Sequence, residues 1–339
     1  MANTYVKSGG VPPININPPS DYKKWAQICE RIIMHYNEGW ADGFHMDISY
    51  WEIWNEPESK ASWTGTRWEF YDLYIKAATH LKNRFPNIKI GGFGEMGFYD
   101  ITKLDGWGGE DPFRGLSDFN RDFLYRVKET NTPLDFYSWH LYSNDPEEYI
   151  IHSKVCREML DEYGFTECES IMDEWNTGGE KESANTSAYI SAILSTIQNT
   201  DIAIANYYDA QPYSVWWCGL FDSEGDEVRK GYYAFRAFNE LYKLGTQVKD
   251  DVTSGLYSIA AKNENQGAIL ISNYNKKPER ICIDVKNFKA KDGIRVLVYA
   301  IDEKYNLEII KEELITGDDF KLYINPLKDE VLYLEIKQA

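Results

Sequence analysis

Apolar and polar positions in the first three quarters of the chain follow two alternating patterns. Stretches with apolar residues every three to four positions predict helices at residues 21–36, 66–85, 117–130, 146–163, 185–198 and 231–244. Short apolar runs between them predict strands at residues 48–54, 88–93, 134–140, 170–174 and 202–208. Strands that alternate with helices are typical of βα units around a parallel sheet, so the pattern predicts an α/β fold of the (β/α)8 TIM-barrel type.

The predicted barrel is incomplete at its N-terminal side. Each predicted strand is followed by a helix, but the first helix has no convincing strand before it, and a closed barrel needs three strands more. Local signals define the ends of the helices. Ser20 is the predicted N-cap of the first helix, Pro86 ends the second, and Gly164 and Gly245 follow the fourth and the sixth.

The period of the apolar positions changes to two beyond residue 250. Short strands separated by turn residues are predicted at residues 256–261, 267–272, 281–285, 294–300, 320–324 and 331–336. Strands of this length and spacing are typical of a β-sandwich. The sequence thus predicts a partial (β/α)8 barrel over residues 1–247 and a small accessory β-sandwich over residues 248–339.

The charge balance narrows the range of partners. The chain carries 36 basic and 54 acidic side chains, a formal net charge of −18. Such a chain, without a basic stripe, repels a phosphate backbone, so nucleic acid is not an expected partner.

The start of the chain contains no export signal, and no apolar stretch is long enough to span a bilayer. These features predict a soluble, cytoplasmic protein without a membrane partner and leave its oligomeric state open.

The cysteines give no sign of a disulfide framework or a metal site. They are odd in number, far apart and never in a C-x-x-C pair: Cys29, Cys156, Cys168, Cys218 and Cys282. We expect buried free thiols, no metal and no cofactor.

Aromatic residues are unusually frequent. The chain contains 11 Trp, 25 Tyr and 15 Phe, and many of them stand beside polar residues. Flat rings with polar edges suit sugars, whose C–H faces stack while their hydroxyl groups form hydrogen bonds. Most of these rings are nevertheless expected in the core.

Four of the predicted strands end in polar or acidic residues. Their ends carry Asn55-Glu56-Pro57, His140-Leu141-Tyr142, Asp173-Glu174-Trp175-Asn176 and Asn206-Tyr207-Tyr208-Asp209. In a barrel, the carboxyl ends of the strands surround the active site. Glu56 and Glu174 are therefore expected to face each other across the mouth of the barrel.

Two facing carboxyl groups are what glycoside hydrolysis requires. One is protonated and assists the leaving oxygen, while the other is ionised and attacks the anomeric carbon; retention of configuration needs them about 5–5.5 Å apart. Taken alone, each glutamate could be a surface residue or a helix N-cap partner, and His140 could be a core histidine. The catalytic interpretation rests on the pair, Glu56 with Glu174, at corresponding ends of parallel strands.

The two acidic strand ends carry a family resemblance. Tyr50-Trp51-Glu52-Ile53-Trp54-Asn55-Glu56-Pro57 and Met172-Asp173-Glu174-Trp175-Asn176-Thr177 resemble the catalytic strands of the clan A glycoside hydrolases. Within that clan, residues 12–57 most resemble glycoside hydrolase family 39, which contains β-xylosidases and α-L-iduronidases. The similarity covers roughly residues 8–245, and an accessory β-sandwich is usual in the family.

The resemblance implies a role for several residues. Glu56 would be the general acid/base on barrel strand four, and Glu174 the nucleophile on strand seven. Asn55 would hold the hydroxyl group beside the anomeric centre. His140 and Tyr142 would position the sugar, with the Tyr142 hydroxyl donating to Glu174.

Three further aromatic residues are candidate stacking walls for a sugar, namely Trp175, Tyr208 and Trp216, although each is equally a candidate core residue. The resemblance also implies three further barrel strands before the first one predicted here. The ends of those three strands would bind the nonreducing sugar. We therefore expect a retaining, β-xylosidase-like hydrolase of β-linked sugars, with reduced or absent turnover for the chain as given.

Three alternatives remain open from the sequence. Another clan A enzyme, such as a glucanase or an arabinofuranosidase, would share the Asn-Glu-Pro motif, because substrate choice lies in the loops. A carbohydrate-binding protein without turnover would retain the aromatic cleft. A metal enzyme could use Asp173, Glu174 and His140, but their spacing matches no established ligand pattern.

Overall fold

The computed structural model describes residues 14–102, 115–176, 183–210, 219–222, 225–252, 255–288, 293–317 and 319–339. After a short 3-10 turn at Ile14–Ile16, the elements in chain order are α1 (Tyr22–Asn37), β1 (Tyr50–Glu52), α2 (Arg67–Arg84), β2 (Lys89–Glu95), α3 (Tyr99–Thr102), α4 (Leu116–Glu129), β3 (Phe136–Tyr142), α5 (Pro146–Glu162), β4 (Glu169–Asn176), α6 (Ala184–Ile197), β5 (Ile202–Tyr207), α7 (Lys230–Tyr242), β6 (Thr246–Val248), β7 (Tyr257–Lys262), β8 (Gln266–Ser272), β9 (Ile281–Val285), β10 (Ile294–Ile301), β11 (Asn306–Ile315), β12 (Phe320–Ile324) and β13 (Val331–Gln338).

These elements form two compact units. The first comprises residues up to Leu141 together with Ile151–Trp175 and Asp201–Asn206. The second comprises Tyr142–Ile150, Asn176–Thr200 and Tyr207–Ala339. The predicted division into domains at residues 247 and 248 stays a prediction.

The first unit contains a five-stranded sheet with its strands in sequence order, β1-β2-β3-β4-β5. β1 pairs in parallel with β2, and β2 in parallel with β3. Strands in sequence order joined by helices are the arrangement of a (β/α)8 barrel, and this sheet fits part of one. The five strands predicted from the sequence are confirmed.

Aromatic rings from α2, β2 and α4 fill the core of the first unit. Phe93 of β2 meets Phe70 of α2 at 5.2 Å and Phe123 of α4 at 4.8 Å between ring centroids, both edge to face. All three rings are fully buried. Edge-to-face pairs contribute about 0.5–1.5 kcal/mol each beyond their buried area, so these contacts hold both helices against β2.

Local signals explain where α2 begins and ends. The Thr66 hydroxyl caps the amide of Glu69, and the Glu69 carboxylate accepts the amide of Thr66, which completes a capping box. The helix ends just before Pro86, as predicted. The predicted cap of α1 was wrong by one residue: Asp21, not Ser20, accepts the amide of Lys24, because helix capping needs an acceptor directly before the first turn.

The second unit is mainly antiparallel. Its strands form a six-stranded sheet in the order β11-β10-β13-β8-β7-β6 and a two-stranded sheet of β12 and β9. Val296, Leu322 and Leu334 lie in its buried core. The β-sandwich interpretation is supported by these sheets, and α6 and α7 pack on strands of the same unit.

The strands β6 and β11 were not predicted. β11 is an edge strand whose apolar residues Ile309 and Leu314 are 54% and 72% exposed. Its register against β10 shifts twice, so its apolar positions do not keep to one face. A sequence of this kind lacks the strict alternation by which half-buried strands are predicted.

The described cysteines are free. Cys29, Cys156 and Cys168 are buried, as expected, whereas Cys282 is exposed and corrects that expectation. Cys282 lies on the outer face of the two-stranded sheet, where alternate residues point to solvent. Cys218 lies outside the described residues. Of the helices in the described ranges, none combines the length and apolar character needed to cross a membrane.

Candidate active site

Glu56 is presented by a sharply bent segment at the end of β1. Trp54 and Glu56 both have left-handed backbone conformations, with φ of 78° and 47°. Such values are uncommon for residues other than glycine and cluster at functional sites. The Glu56 amide donates to the carbonyl of Gly94 at 3.0 Å, which fastens the bend to the end of β2.

His140 of β3 brings the two predicted catalytic glutamates together. Its Nδ1 lies 3.0 Å from Oε1 of Glu56, and its Nε2 lies 3.6 Å from Oε2 of Glu174. The imidazole is 1% exposed, whereas the two carboxyl side chains are 27% and 21% exposed. Both carboxyl groups are therefore accessible at the rim of the site while one buried ring contacts both.

The charge of His140 is set by its acidic neighbours. Burial lowers the pKa of the imidazole, but Asp173, Glu56 and Glu174 outweigh burial and raise it well above its usual value. Nε2 lies 3.5 Å from Oδ2 of Asp173, a distance of electrostatic contact. These acidic contacts favour the protonated ring, in which Nδ1–H donates to Glu56.

Glu52 and Ser138 lie beneath this cluster. The Ser138 hydroxyl donates to Oε1 of Glu52 and accepts the amide of Gly94 at 2.8 Å. Protein packed around the carboxyl group, followed by the charge of Asp173, raises the pKa of Glu52 to about 8.

The remaining residues predicted for the site differ in their surroundings. Trp175 is 1% exposed, which favours a core role over sugar stacking, and Tyr208 is 38% exposed. Tyr142 is half-buried at the end of β3. Trp216 lies outside the described residues. Within the described ranges, no group of three or more His, Cys, Asp or Glu side chains is placed to hold a metal ion.

The sequence profile of the glycosyl hydrolases family 39 matches residues 9–213. This range includes the ends of β1 to β5, where the candidate site residues lie. The chain belongs to this family. The resemblance seen in the two acidic strand ends is therefore confirmed. In this family 39 chain, the carboxyl ends of β1, β3 and β4 carry the titratable groups that meet at His140.

Curated relatives carry the name β-xylosidase. The chain is 25% identical to the β-xylosidase of Caldicellulosiruptor saccharolyticus over 368 aligned positions, covering 96% of this chain and 68% of the relative. It is 25% identical to the β-xylosidase of Geobacillus stearothermophilus over 207 positions, covering 53% of this chain and 37% of the relative. The chain thus spans well under half of the Geobacillus enzyme in that match.

A solved structure shows the same fold. The glucosidase from Croceicoccus marinus superposes with a TM-score of 0.80 at 23% identity, covering 96% of this chain and 77% of that one. At this identity the similarity concerns the fold alone.

Three polar residues of the site were missed by the sequence interpretation. Glu58 follows Glu56 by two positions, Glu95 ends β2, and Asn120 lies on α4 with its amide donating to Oε2 of Glu95. Asn120 had a detectable signal, because it falls in the apolar stripe of α4. A polar residue at such a position needs a buried partner.

Gly94 has no side chain at a point where atoms of Asn55, His140 and Glu52 lie close together. It has a φ of 58°, and an added Cβ would lie 2.9 Å from Oδ1 of Asn55, 3.0 Å from Nε2 of His140 and 3.2 Å from Oε1 of Glu52. Gly94→Ala is expected to lower the free energy of unfolding by about 2–4 kcal/mol, because backbone strain and overpacking both act. Denaturant unfolding measures this loss.

The control is Gly245→Ala, at a φ of 84° with no atom within 4 Å of the added Cβ. Strain alone should cost it about 1–2 kcal/mol. Equal losses in the two variants would show that the site tolerates the methyl group.

Proposed function

We propose that this family 39 chain is a retaining glycoside hydrolase for β-linked sugars, most similar in action to a β-xylosidase. The observation that carries the proposal is the contact of Glu56 and Glu174 with opposite nitrogens of one buried imidazole. A double displacement needs two carboxyl groups on opposite faces of the anomeric carbon, and these two converge from different strands.

Glu56 is the proposed general acid/base. In the first step its carboxyl group protonates the glycosidic oxygen as the bond to the anomeric carbon breaks; in the second, its carboxylate takes a proton from water. The hydrogen bond from His140 engages Oε1, which leaves Oε2 for this proton transfer. Glu56 follows β1 in a left-handed backbone conformation.

Glu174 is the proposed nucleophile. Its carboxylate attacks the anomeric carbon, forms a glycosyl ester, and leaves when water attacks the same carbon. The imidazolium of His140 stabilises the negative charge that returns to Glu174 in the second step, because an opposite charge 3.6 Å away favours the ionised form. Asn55, beside Glu56, is the proposed partner of the neighbouring sugar hydroxyl.

A panel of aryl glycosides tests the reaction class. Aryl β-xyloside should be the preferred substrate over aryl β-glucoside and aryl α-arabinofuranoside, and proton NMR of the first-formed sugar should show the β-anomer. The α-anomer would contradict a retaining mechanism. Xyloside turnover comparable to that of ordinary family members would contradict the sequence-based expectation of weak activity.

A second candidate is a carbohydrate-binding protein without turnover. Among the described aromatic residues, Tyr208 at the end of β5 favours this second function, because its ring is 38% exposed and could stack on a sugar. Calorimetric binding of xylo-oligosaccharides without any release of sugar would support this function over hydrolysis.

A further inference from the structure

Strand β2 carries one extra residue against β3 close to the proposed acid/base. Tyr137 of β3 lies opposite Gly92, and two positions later Trp139 lies opposite Glu95. Two residues of β2 therefore stand between these pairs, where β3 has only Ser138. Such an insertion is a β-bulge, which interrupts the ladder of backbone hydrogen bonds. The backbone groups of the bulge then need other partners.

Gly94, the second of the two residues in the bulge, is held at both its N–H and its C=O. Its amide donates to Oγ of Ser138 at 2.8 Å, so a side chain of β3 serves where the regular ladder is interrupted. Its carbonyl accepts the amide of Glu56 at 3.0 Å. One residue of β2 thus links the Ser138 hydroxyl to the backbone of Glu56.

The Ser138 hydroxyl is fixed in one orientation. Ser138 is fully buried, and its O–H donates to Oε1 of Glu52 on β1. A hydroxyl group has one proton and two acceptor lone pairs. Donation to Glu52 therefore leaves the lone pairs to receive the Gly94 amide, and the two contacts support each other.

The backbone of Glu56 needs such support. Its φ is 47°, and that of Trp54 is 78°, both in the left-handed region. Residues other than glycine keep these conformations only where neighbouring contacts hold them. The Glu56 side chain is 27% exposed, so surrounding protein encloses it only in part. Its position therefore depends on the backbone bend, and the bend is joined to β2 through Gly94.

We propose that Ser138 is a positioning residue for Glu56: it acts through the Gly94 peptide, and Glu52 orients its hydroxyl group. This role rests on the proposed function in taking Glu56 as the general acid/base. Ser138 is fully buried and acts without touching the substrate. Proton transfer depends on accurate placement, since a shift of about 1 Å can cost roughly 10²-fold in rate.

A matched pair of variants isolates the hydroxyl group. Ser138→Thr keeps it, whereas Ser138→Val replaces it by a methyl group of similar size, so overpacking is common to both. Residue-resolved amide exchange on the full chain should be roughly tenfold faster at Gly94 and Glu56 in the Val variant than in the Thr variant, because a buried amide loses its acceptor. The amide of Ile90, which donates to Oδ2 of Asp135 at 2.8 Å in the same strand, should exchange alike in both.

A second buried serine is the control for loss of a hydroxyl group. Ser170 of β4 is 1% exposed, accepts Nε1–H of Trp139 at 2.9 Å and donates to Sγ of Cys156. Ser170→Ala therefore removes one donated and one accepted hydrogen bond, as a change at Ser138 does. Exchange at Gly94 and Glu56, relative to other amides of the sheet, should stay as in the wild type.

Variants of Glu52 test the orienting contact. Glu52→Gln keeps a side-chain oxygen that can accept the Ser138 hydroxyl, so exchange at Gly94 should stay close to that of the wild type. Glu52→Ala removes the acceptor and should make exchange at Gly94 several-fold faster. Equal exchange in the Gln and Ala variants would overturn the orienting role of Glu52.

Kinetics separates positioning from a merely structural role. For Ser138→Val relative to Ser138→Thr, kcat/KM for phenyl β-xyloside should fall about tenfold, because this leaving group needs a proton. The value for dinitrophenyl β-xyloside, which leaves without one, should be nearly unchanged. Equal losses for the two substrates, in a chain whose Glu56→Ala variant spares the dinitrophenyl substrate, would overturn the positioning role.

The exchange measurement stands apart from turnover. Equal exchange at Gly94 and Glu56 in the Thr and Val variants would overturn the inference even if Glu56 proves to be the acid/base. Failure of the proposed function has a different signature: hydrolysis would be unchanged in Glu56→Ala, while the difference in exchange between the two Ser138 variants would persist.

Discussion

Glu174→Ala is expected to lower the hydrolysis of an aryl β-xyloside by roughly 10³-fold or more relative to the wild-type chain. The carboxylate that forms the glycosyl ester is then missing, and the side chain that replaces it offers no nucleophile. Added azide should restore turnover, because a small anion can enter the space that the carboxylate leaves. The product should be a glycosyl azide of inverted configuration, which NMR identifies.

The same role can be tested by labelling. A 2-fluoro-xyloside with a good leaving group should form a long-lived ester on Glu174, located by mass spectrometry of the digested chain. Glu158→Ala, purified in parallel, controls for contaminating hydrolases, because Glu158 lies exposed on α5. Label on another residue, or no azide product from Glu174→Ala, would exclude Glu174 as the nucleophile.

Glu56→Ala should show a different dependence on the substrate. Loss of a general acid costs about 10²–10⁴-fold when the leaving group needs a proton. For a dinitrophenyl xyloside, which leaves without one, the first step should be nearly unaffected and the glycosyl ester should accumulate. Stopped-flow kinetics would then show a burst of released phenol followed by slow turnover.

Azide distinguishes the two glutamates. In Glu56→Ala it should attack the glycosyl ester from the side of the missing carboxyl group and give an azide of retained configuration, opposite to that from Glu174→Ala. Equal losses for dinitrophenyl and unactivated xylosides would contradict the acid/base role. An inverted azide from Glu56→Ala would exchange the two assignments.

His140 gives both predictions a shared structural basis. Removing either glutamate takes away one of the acidic contacts that raise the pKa of this buried imidazole. The pKa of His140 should therefore fall in both variants, since burial alone favours the neutral ring. Part of each loss in rate can arise from this change, which histidine NMR would detect.

Much of the fold follows from local patterns in the sequence. The capping box of Thr66 and Glu69 and the break at Pro86 define α2 almost to the residue. Such patterns fail at β1, which was predicted over residues 48–54 but spans only Tyr50–Glu52. Strand pairing there stops at Glu52, because Trp54 and Glu56 take left-handed conformations that no apolar run reveals.

The candidate site was predictable only in part. Glu56 and Glu174 stand in short Trp- and Asn-rich motifs at the ends of strands, so the sequence alone makes them candidates. Glu95 was not a candidate, because it ends a glycine-rich strand that was predicted to stop at residue 93. Its burial against Asn120, 25 residues away along the chain, depends on how α4 packs on β2.

The sequence alone determined the alternation of helices and strands, the family, and the choice of the two candidate glutamates, because each depends on residues close together in the chain. Tertiary structure decided which titratable groups lie in contact. His140 contacts Glu56, beyond the end of β1, and Glu174 of β4, and Glu95 of β2 meets Asn120 of α4 only because the helix packs there. Electrostatic interactions depend on distance and burial in space, and neither is encoded in local sequence spacing.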